Sequence, residues 1–289
     1  LLREAETSEA YQSETRVTTV VAPHRERSPW MRYRHALWLL TKRDLKVRYS
    51  TSALGYVWSI LDPLLMSGIY YFVFVVIFDR GSAVDQPYIV FLLAGLLPWV
   101  WFNGGVGDMT KAFAQEAKLI RSTSIPRSIW IIRRVISKGI EFLASIPVLI
   151  VFALLSLATK TPAHLHWEAV YWIPAIVIEA ILITGIGLIV APIVVFFRDL
   201  ERAIKLVLRL LFYASPIVYG LSEFHKHPKI ETALAFNPLT GIMALYRAAF
   251  FPKEIDWFAV SMSVVVSLVI LGVGIVLFRR NVRAVLKEL

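Results

Sequence analysis

The chain has 289 residues, of which 57% are hydrophobic and 13% aromatic, with a mean hydropathy of +0.63 and a formal net charge of +10. So apolar a composition excludes an ordinary soluble domain, and the lack of cysteine excludes a disulfide framework, a thiol nucleophile and a zinc–thiolate site. The positive charge does not point to nucleic acid, because it sits at the ends of apolar runs and no basic face interleaved with aromatics appears.

Residues 1–29 are polar and mixed in charge, with Pro23 and Pro29, and read as a disordered cytoplasmic tail. They lack the order of a signal peptide, so membrane insertion is expected to use the first true span. Trp30 to Tyr49 is rich in Lys and Arg and carries two tryptophans, the composition of an interfacial helix; with the loop after it, it forms a unit over 30–56. Its periodicity is imperfect. Tyr33, Leu37, Leu40 and Val47 align on one face, and Asp44 falls on that same face. A solvated helix packed on protein is the competing reading.

About twenty apolar residues suffice to cross the hydrocarbon core, and six such runs occupy 57–278. The first covers about 57–78, with Pro63 in its early turns; the second, about 88–106, contains Pro98 and Asn103-Gly104-Gly105, which are expected to interrupt it against protein or water. Between the second and third runs lies Lys111 to Lys138, with seven Lys/Arg against one acid, Glu116. In its first half Phe113, Ala117 and Ile120 share one helical face while Lys111, Gln115 and Lys118 share the opposite one. Ser122, Thr123 and Ser124 break the pattern, and Pro126 suits the start of a new helix. A short two-faced helix presented to something in the cytoplasm is expected here.

The third run is about 139–158, the fourth about 169–197 with Glu179 inside it, and the fifth about 204–221 with Arg209 and a Ser215-Pro216 break. The apolar stretches of 222–256 are too short to cross, so interfacial or re-entrant helices are expected there. The sixth run is 257–278, followed by a basic cytoplasmic tail at 279–289. With both termini inside, 25 of the 31 Lys/Arg fall on the inner side and 6 on the outer, the asymmetry that orients membrane proteins. The expected fold is thus an all-α integral membrane protein of six spans.

Recognisable catalytic chemistry is missing. No phosphate-binding G-x-x-x-x-G-K-[ST] loop, serine elbow or His-Glu-x-x-His pair occurs. His225-Lys226-His227 lies on a polar turn without a third ligand, so no metal site is expected. Glu179, about ten residues into its span, is costly unless it faces the bundle interior or water; it and Arg209 read either as substrate contacts or as groups in a structural pair or local hydrogen bonds. Tyr70, Phe74 and Phe78 repeat every four residues, and Trp99, Trp101 and Phe102 cluster near the glycines of the second span. Flat rings along a pathway would suit sliding contact with sugar faces, and helix packing is the alternative for each.

These pieces together resemble the permease subunits of ABC exporters for O-antigen, teichoic acid and related cell-envelope polysaccharides. The likeness rests on Leu54-Gly55-Tyr56-Val57-Trp58 leading to Leu61-Asp62-Pro63-Leu64, and on Leu119-Ile120 followed by Ile125-Pro126-Arg127. Phe197-Arg198-Asp199-Leu200, Ser215-Pro216-Ile217 and Asn237-Pro238 add to it. The family often carries Asn just before the Leu-Ile pair, where this chain has Glu116 and Lys118. The resemblance implies a homodimer with the pathway between the two copies, each docked on a separate ABC ATPase subunit that holds ATP and Mg, with no cofactor in this chain. Phe113, Glu116, Ala117, Lys118, Leu119, Ile120 and Arg121 would form the coupling helix. Substrate would enter near Leu54 and Gly55, with Arg32, Arg34 and Arg48 attracting an anionic head, and 222–256 would form the external gate. The implied cargo is a glycan linked through pyrophosphate to a polyprenyl lipid, exported across the bacterial inner membrane. A permease for drugs or small lipids, and a membrane glycosyl or acyl transferase using Glu179 or Asp62, remain as alternatives.

Overall fold

A computed structural model describes residues 28–50, 57–77, 87–123, 125–159, 161–224 and 226–288. The tail at 1–27, Leu54, Gly55, Phe78 and His225 lie outside the described residues, as do the side chains of Arg48 and Phe74. The described residues are helical, with no strand among them. In chain order the helices are α1 Pro29–Ser50, α2 Trp58–Tyr71, α3 Tyr88–Met109, α4 Ala117–Ser122, α5 Ile129–Ser156, α6 Trp172–Phe196, α7 Leu200–Ala214, α8 Pro228–Ala235, α9 Pro238–Arg247 and α10 Trp257–Glu288. A π-helical turn, Phe72–Ile77, prolongs α2, and a 3-10 turn, Trp167–Tyr171, leads into α6.

Among the described residues four helices are long and apolar enough to cross a membrane: Tyr88–Met109, Ile129–Ser156, Trp167–Phe196 and Trp257–Val285. They correspond to the expected second, third, fourth and sixth runs. The expected break in the second run is absent, since α3 continues through Pro98 and Asn103-Gly104-Gly105. It is the most enclosed of the four, with 78% of its apolar window buried. Packed neighbours tolerate the proline that lipid would punish. The expected fifth run is cut short. Helix α7 ends at Ala214, Ser215 turns extended at ψ 147°, and fifteen residues reach only about 22 Å.

Two helices are longer than their apolar runs. Helix α5 begins at Ile129, ten residues before the apolar stretch, so Arg133, Arg134 and Lys138 ride on its first turns. Helix α10 has 32 residues and is about 48 Å long, well beyond the ~30 Å hydrocarbon core. Its last turns take in the segment expected as a basic tail.

The main core is an apolar cluster drawn chiefly from α3, α5, α6, α9 and α10, with a small second cluster at Leu221, Ala235 and Ala259. Where α6 crosses α10, Gly185 and Gly274 face each other: a Cβ on Gly185 would meet the Leu271 backbone nitrogen at 2.7 Å. Small residues at such a crossing let two backbones approach where no hydrophobic force separates helix from lipid. Helix α9 sits among α3, α6 and α10, and every residue from Leu239 to Arg247 is buried. Helix α1 lies along α5, with Tyr33, Leu37 and Leu40 packed on the core while Trp30, Trp38 and Val47 stay exposed.

Candidate functional site

At the basic end, four charges tie three elements together. Arg133 on α5, only 1% exposed, forks between Asp44 Oδ1 of α1 at 3.0 Å and Glu116 Oε1 at 2.8 Å. Arg43 of α1 reaches the same Glu116 oxygen at 2.6 Å. The planar guanidinium suits this work, because its fixed fork can serve two carboxylates at once. Its other face stacks over the Trp130 ring, 4.8 Å from the centroid. Arg134 adds a hydrogen bond to Gln115 Oε1 at 3.0 Å. On the far side Lys111 pairs with Glu201 at the start of α7 at 3.7 Å, and Lys205 pairs with it at 2.7 Å.

The two carboxylates of the clamp respond differently to their surroundings. Burial pushes the Asp44 carboxyl above the usual carboxylate range in spite of the arginines beside it. Burial also raises Glu116, but hydrogen bonds from Arg133 and Arg43 outweigh it and hold that carboxyl below its ordinary value. Asp44 is the residue that broke the apolar face of α1 in the sequence. Its anomaly was the one visible signal of the clamp.

The short helix expected between the second and third runs is present, though shorter: turns cover Lys111–Glu116 and α4 begins at Ala117. Its apolar face turns inward. Phe113 and Ile120 are each 1% exposed, and the Phe113 ring stacks on Phe278 of α10 at 6.3 Å. Ala117 and Leu119 are half-buried, and Glu116 is held in the clamp. What faces outward is the charged side, Lys118 and Arg121, with Ala114 and Gln115. Apolar residues on a short amphipathic helix seek the nearest core, and here that core is the protein's own.

Of the residues expected where substrate enters, Arg32 and Arg34 are exposed on α1. Arg34 lines an open groove of about 530 Å³ with Met31, His35, Leu37, Trp38, Thr41 and Ile136 of α5. The expected pathway aromatics divide. Tyr70 stacks on Phe212 at 5.5 Å, and Trp99 meets both Phe102 at 5.6 Å and Phe212 at 5.5 Å, forming one internal layer where α2, α3 and α7 meet. Trp101 turns the other way, stacking on Phe142 at 5.3 Å and donating Nε1–H to the Val135 carbonyl at 3.2 Å. Trp99, Trp101 and Phe102 are buried within the single chain. Arg209 is exposed on α7, beside Leu206, Leu210 and Tyr213. Glu179, fully buried, meets Tyr246 and not Arg209, so the expected pair is not formed.

The opposite end holds residues that sequence reasoning passed over. After α7 the backbone from Ser215 to Tyr219 is irregular, and carbonyls from Ala214 onward lose helical partners. Side chains from three elements replace them. Asn237 Nδ2 donates to the Ala214 carbonyl at 3.1 Å, while its Oδ1 accepts from Leu239 N and caps α9. Tyr88 Oη donates to the Val218 carbonyl at 2.8 Å. Arg247 donates to the carbonyls of Ile217 at 2.6 Å, Tyr219 at 3.2 Å and Phe91 at 3.4 Å, and its guanidinium lies 3.6 Å from the Phe91 ring centroid. A Cβ on Gly95 would come within 2.7 Å of Arg247 Nη2, so the glycine makes room for the guanidinium. Arg247 is one of the six Lys/Arg that the charge count puts on the outer side, and it is 3% exposed.

Comparison with known proteins covers most of the chain. The family described as ABC-2 type transporter matches residues 35–251. The O-antigen export system permease protein RfbA of Klebsiella pneumoniae is 35% identical over 244 residues, covering 84% of this chain and 90% of the relative. A protein of the same name from Myxococcus xanthus is 30% identical over 223 residues, covering 77% and 83%. The polysialic acid transport protein KpsM of Escherichia coli is 26% identical over 253 residues, covering 84% and 92%.

Proposed function

The chain belongs to the ABC-2 type transporter family, and from that premise we propose that it is the permease subunit of a polysaccharide exporter in a bacterial inner membrane. The observation that carries this reading is that similarity to O-antigen export permeases runs over 84% of the chain rather than over one motif. The chain is a transport subunit and not an enzyme, and ATP with its Mg belongs to a separate nucleotide-binding subunit. The cargo is a glycan carried on a polyprenyl pyrophosphate, moved from the cytoplasmic to the outer face.

Six spans complete the fold in this reading, α2 and α7 with their flanking residues adding two to the four long helices. Both termini are cytoplasmic, which puts the clamp and α4 inside and α8 and α9 outside. Nucleotide-driven movement of the partner is received on the outward face of α4, Lys118 and Arg121, with Glu201 and the clamp fixing that segment to α7, α1 and α5. Two copies face each other across α2 and α7. What supports that pairing is the run of uncovered side chains there: Leu65 and Ile69 on α2 and Phe72 on the π-helical turn after it, with Leu206, Leu210 and Tyr213 on α7. Arg209 lies on the same α7 surface, and an arginine there is costly against lipid but tolerable beside a wet, glycan-bearing path.

The test is depletion of the chain in its native host. Lipid-linked glycan should accumulate on the inner leaflet, and purified permease should retain a Walker-motif ATPase in a pull-down. Accumulation of a drug or a simple lipid without glycan would count for a different cargo.

A further inference from the structure

Helix α9 is a ten-residue helix, about 15 Å long, too short to cross a membrane, yet buried along its length. Its last two residues point in opposite directions. Arg247 pins the helix to α3 and to the irregular segment after α7, as described above. Tyr246 pins it to the other side. Its ring lies edge-on to Phe142 of α5 at 5.6 Å and Trp172 of α6 at 5.7 Å, and its carbonyl accepts from Trp172 Nε1 at 2.8 Å. Its hydroxyl donates to Glu179 Oε2 at 2.8 Å, where both groups are fully buried.

Glu179 has no second partner among the described residues, since its Oε1 is buried without a hydrogen bond. One hydroxyl therefore supplies the whole polar environment of a carboxyl that is otherwise enclosed by apolar side chains. Such a contact is all or none. Any slide of α9 that removes the Tyr246 hydroxyl leaves Glu179 unpaired in an apolar site, unless water enters with the movement.

We infer that Glu179 and Tyr246 are the positioning pair that holds α9 in its closed seat, so that the outer end opens only when this hydrogen bond is exchanged for water. The inference rests on the proposed orientation, which places α9 at the external face. It assigns to Glu179 a receiving role for α9 in place of direct contact with cargo.

The native chain has no cysteine, so a single introduced thiol reports opening without background. Ser215→Cys is close to isosteric and fully buried beside Asn237. Ser137→Cys, buried on α5 near the basic end, is the control. Permease in complex with its ATPase, in intact vesicles, is treated with a membrane-impermeant maleimide. In the Ser215→Cys background, Tyr246→Phe should raise labelling from the outer side about tenfold, the factor that one lost buried hydrogen bond gives a two-state equilibrium. Adding Glu179→Leu to Tyr246→Phe should return labelling toward the parent, because an apolar pair leaves nothing unsatisfied. Glu179→Gln, which keeps an acceptor for the hydroxyl, should stay within about twofold of the parent. The Ser137→Cys control should keep its parent rate in all three.

Unchanged labelling in Tyr246→Phe, or a double variant no better than the single one, would overturn the latch while leaving the export reading intact. An equal rise at Ser137→Cys would overturn it as well, since that pattern means general loosening. Labelling of Ser215→Cys only from the cytoplasmic side would overturn the latch and the orientation together. If Tyr246→Phe does not accumulate in the membrane, recovery of folded protein by Glu179→Leu reports the same coupling, and no recovery refutes it.

Discussion

The two ends of this bundle are held by different physics. At the basic end, Arg43, Asp44, Glu116 and Arg133 form a clamp of full charges, with Arg43 42% exposed and both carboxylates still in partial contact with solvent. At the other end, Arg247, Asn237, Tyr88 and Tyr246 serve backbone carbonyls and one carboxyl, nearly all out of water. Charges near water can exchange partners at modest cost, because solvent stands in during the exchange. Buried donors have no substitute, so the structure around them is fixed or it is lost. In the proposed reading the first kind of bond serves the end that receives movement from the ATPase, and the second serves the end held shut.

The strongest way to break this contrast is at Arg247. Arg247→Met should cost about 3 kcal/mol or more, since three carbonyls lose their donor inside the protein. Arg247→Lys should recover little, as one ammonium cannot span the same three oxygens. Thermal unfolding of the detergent-purified permease reads both, and full recovery by Lys would show that charge alone matters there. Next comes Arg133→Met, which leaves Asp44 and Glu116 to share the exposed Arg43, at 3.9 Å and 2.6 Å. A loss of about 2 kcal/mol is expected in the same assay. ATP hydrolysis by the assembled complex should persist while export falls, and export at the parent rate would remove the clamp from the coupling route.

A smaller effect sharpens the difference through pH. Glu116 titrates below its ordinary value of 4.5 in the folded protein, so its contribution is present above that pH and is lost as pH falls through the folded value. Asp44 is shifted the other way, so its contribution is present at low pH and lost as pH rises through its folded value, which partly offsets Glu116. The stability gap between the parent and Glu116→Gln should therefore narrow below about pH 4.5. The gap between the parent and Tyr88→Phe at the opposite end should stay level over that range. Convergence of both pairs would make the two ends alike. The least effect on folding is expected from Lys118→Glu with Arg121→Glu, within about 0.5 kcal/mol because both side chains are exposed. The pull-down of the ATPase should nonetheless fail. Replacing Phe113 and Ile120 by Asp, the change that sequence periodicity suggests for that purpose, would unfold the segment instead, since both are buried in this chain's own core.

Particular residues show how far the sequence could be read. The helix between the second and third runs is legible in its period though not in its length, and period cannot say which of two faces meets protein. Phe113 and Ile120 are both buried, with the Phe113 ring stacked on Phe278. Asp44 was visible as a misfit on α1, yet its partner lies 89 positions away on α5 and no local rule connects them. Asn103-Gly104-Gly105 looked like a break because local propensity says so, and tertiary enclosure overrode it. Arg247, in a stretch expected to form interfacial or re-entrant helices, counts in the sequence only as one of the outer-side cations. Its neighbours in space are carbonyls freed by the Ser215-Pro216 break, thirty residues upstream.

By itself the amino-acid order determined the class of environment, the positions of the long apolar helices, the sign of charge at each end and the family. Those properties follow from transfer free energies and periodicity, which add up along the chain. Only the folded arrangement decided which side of α4 faces out, that Glu179 belongs to Tyr246 and not to Arg209, and that α9 is a buried wedge. Such pairings depend on distances between residues far apart in sequence, and they form because each buried polar group takes whichever partner the packed helices bring within reach.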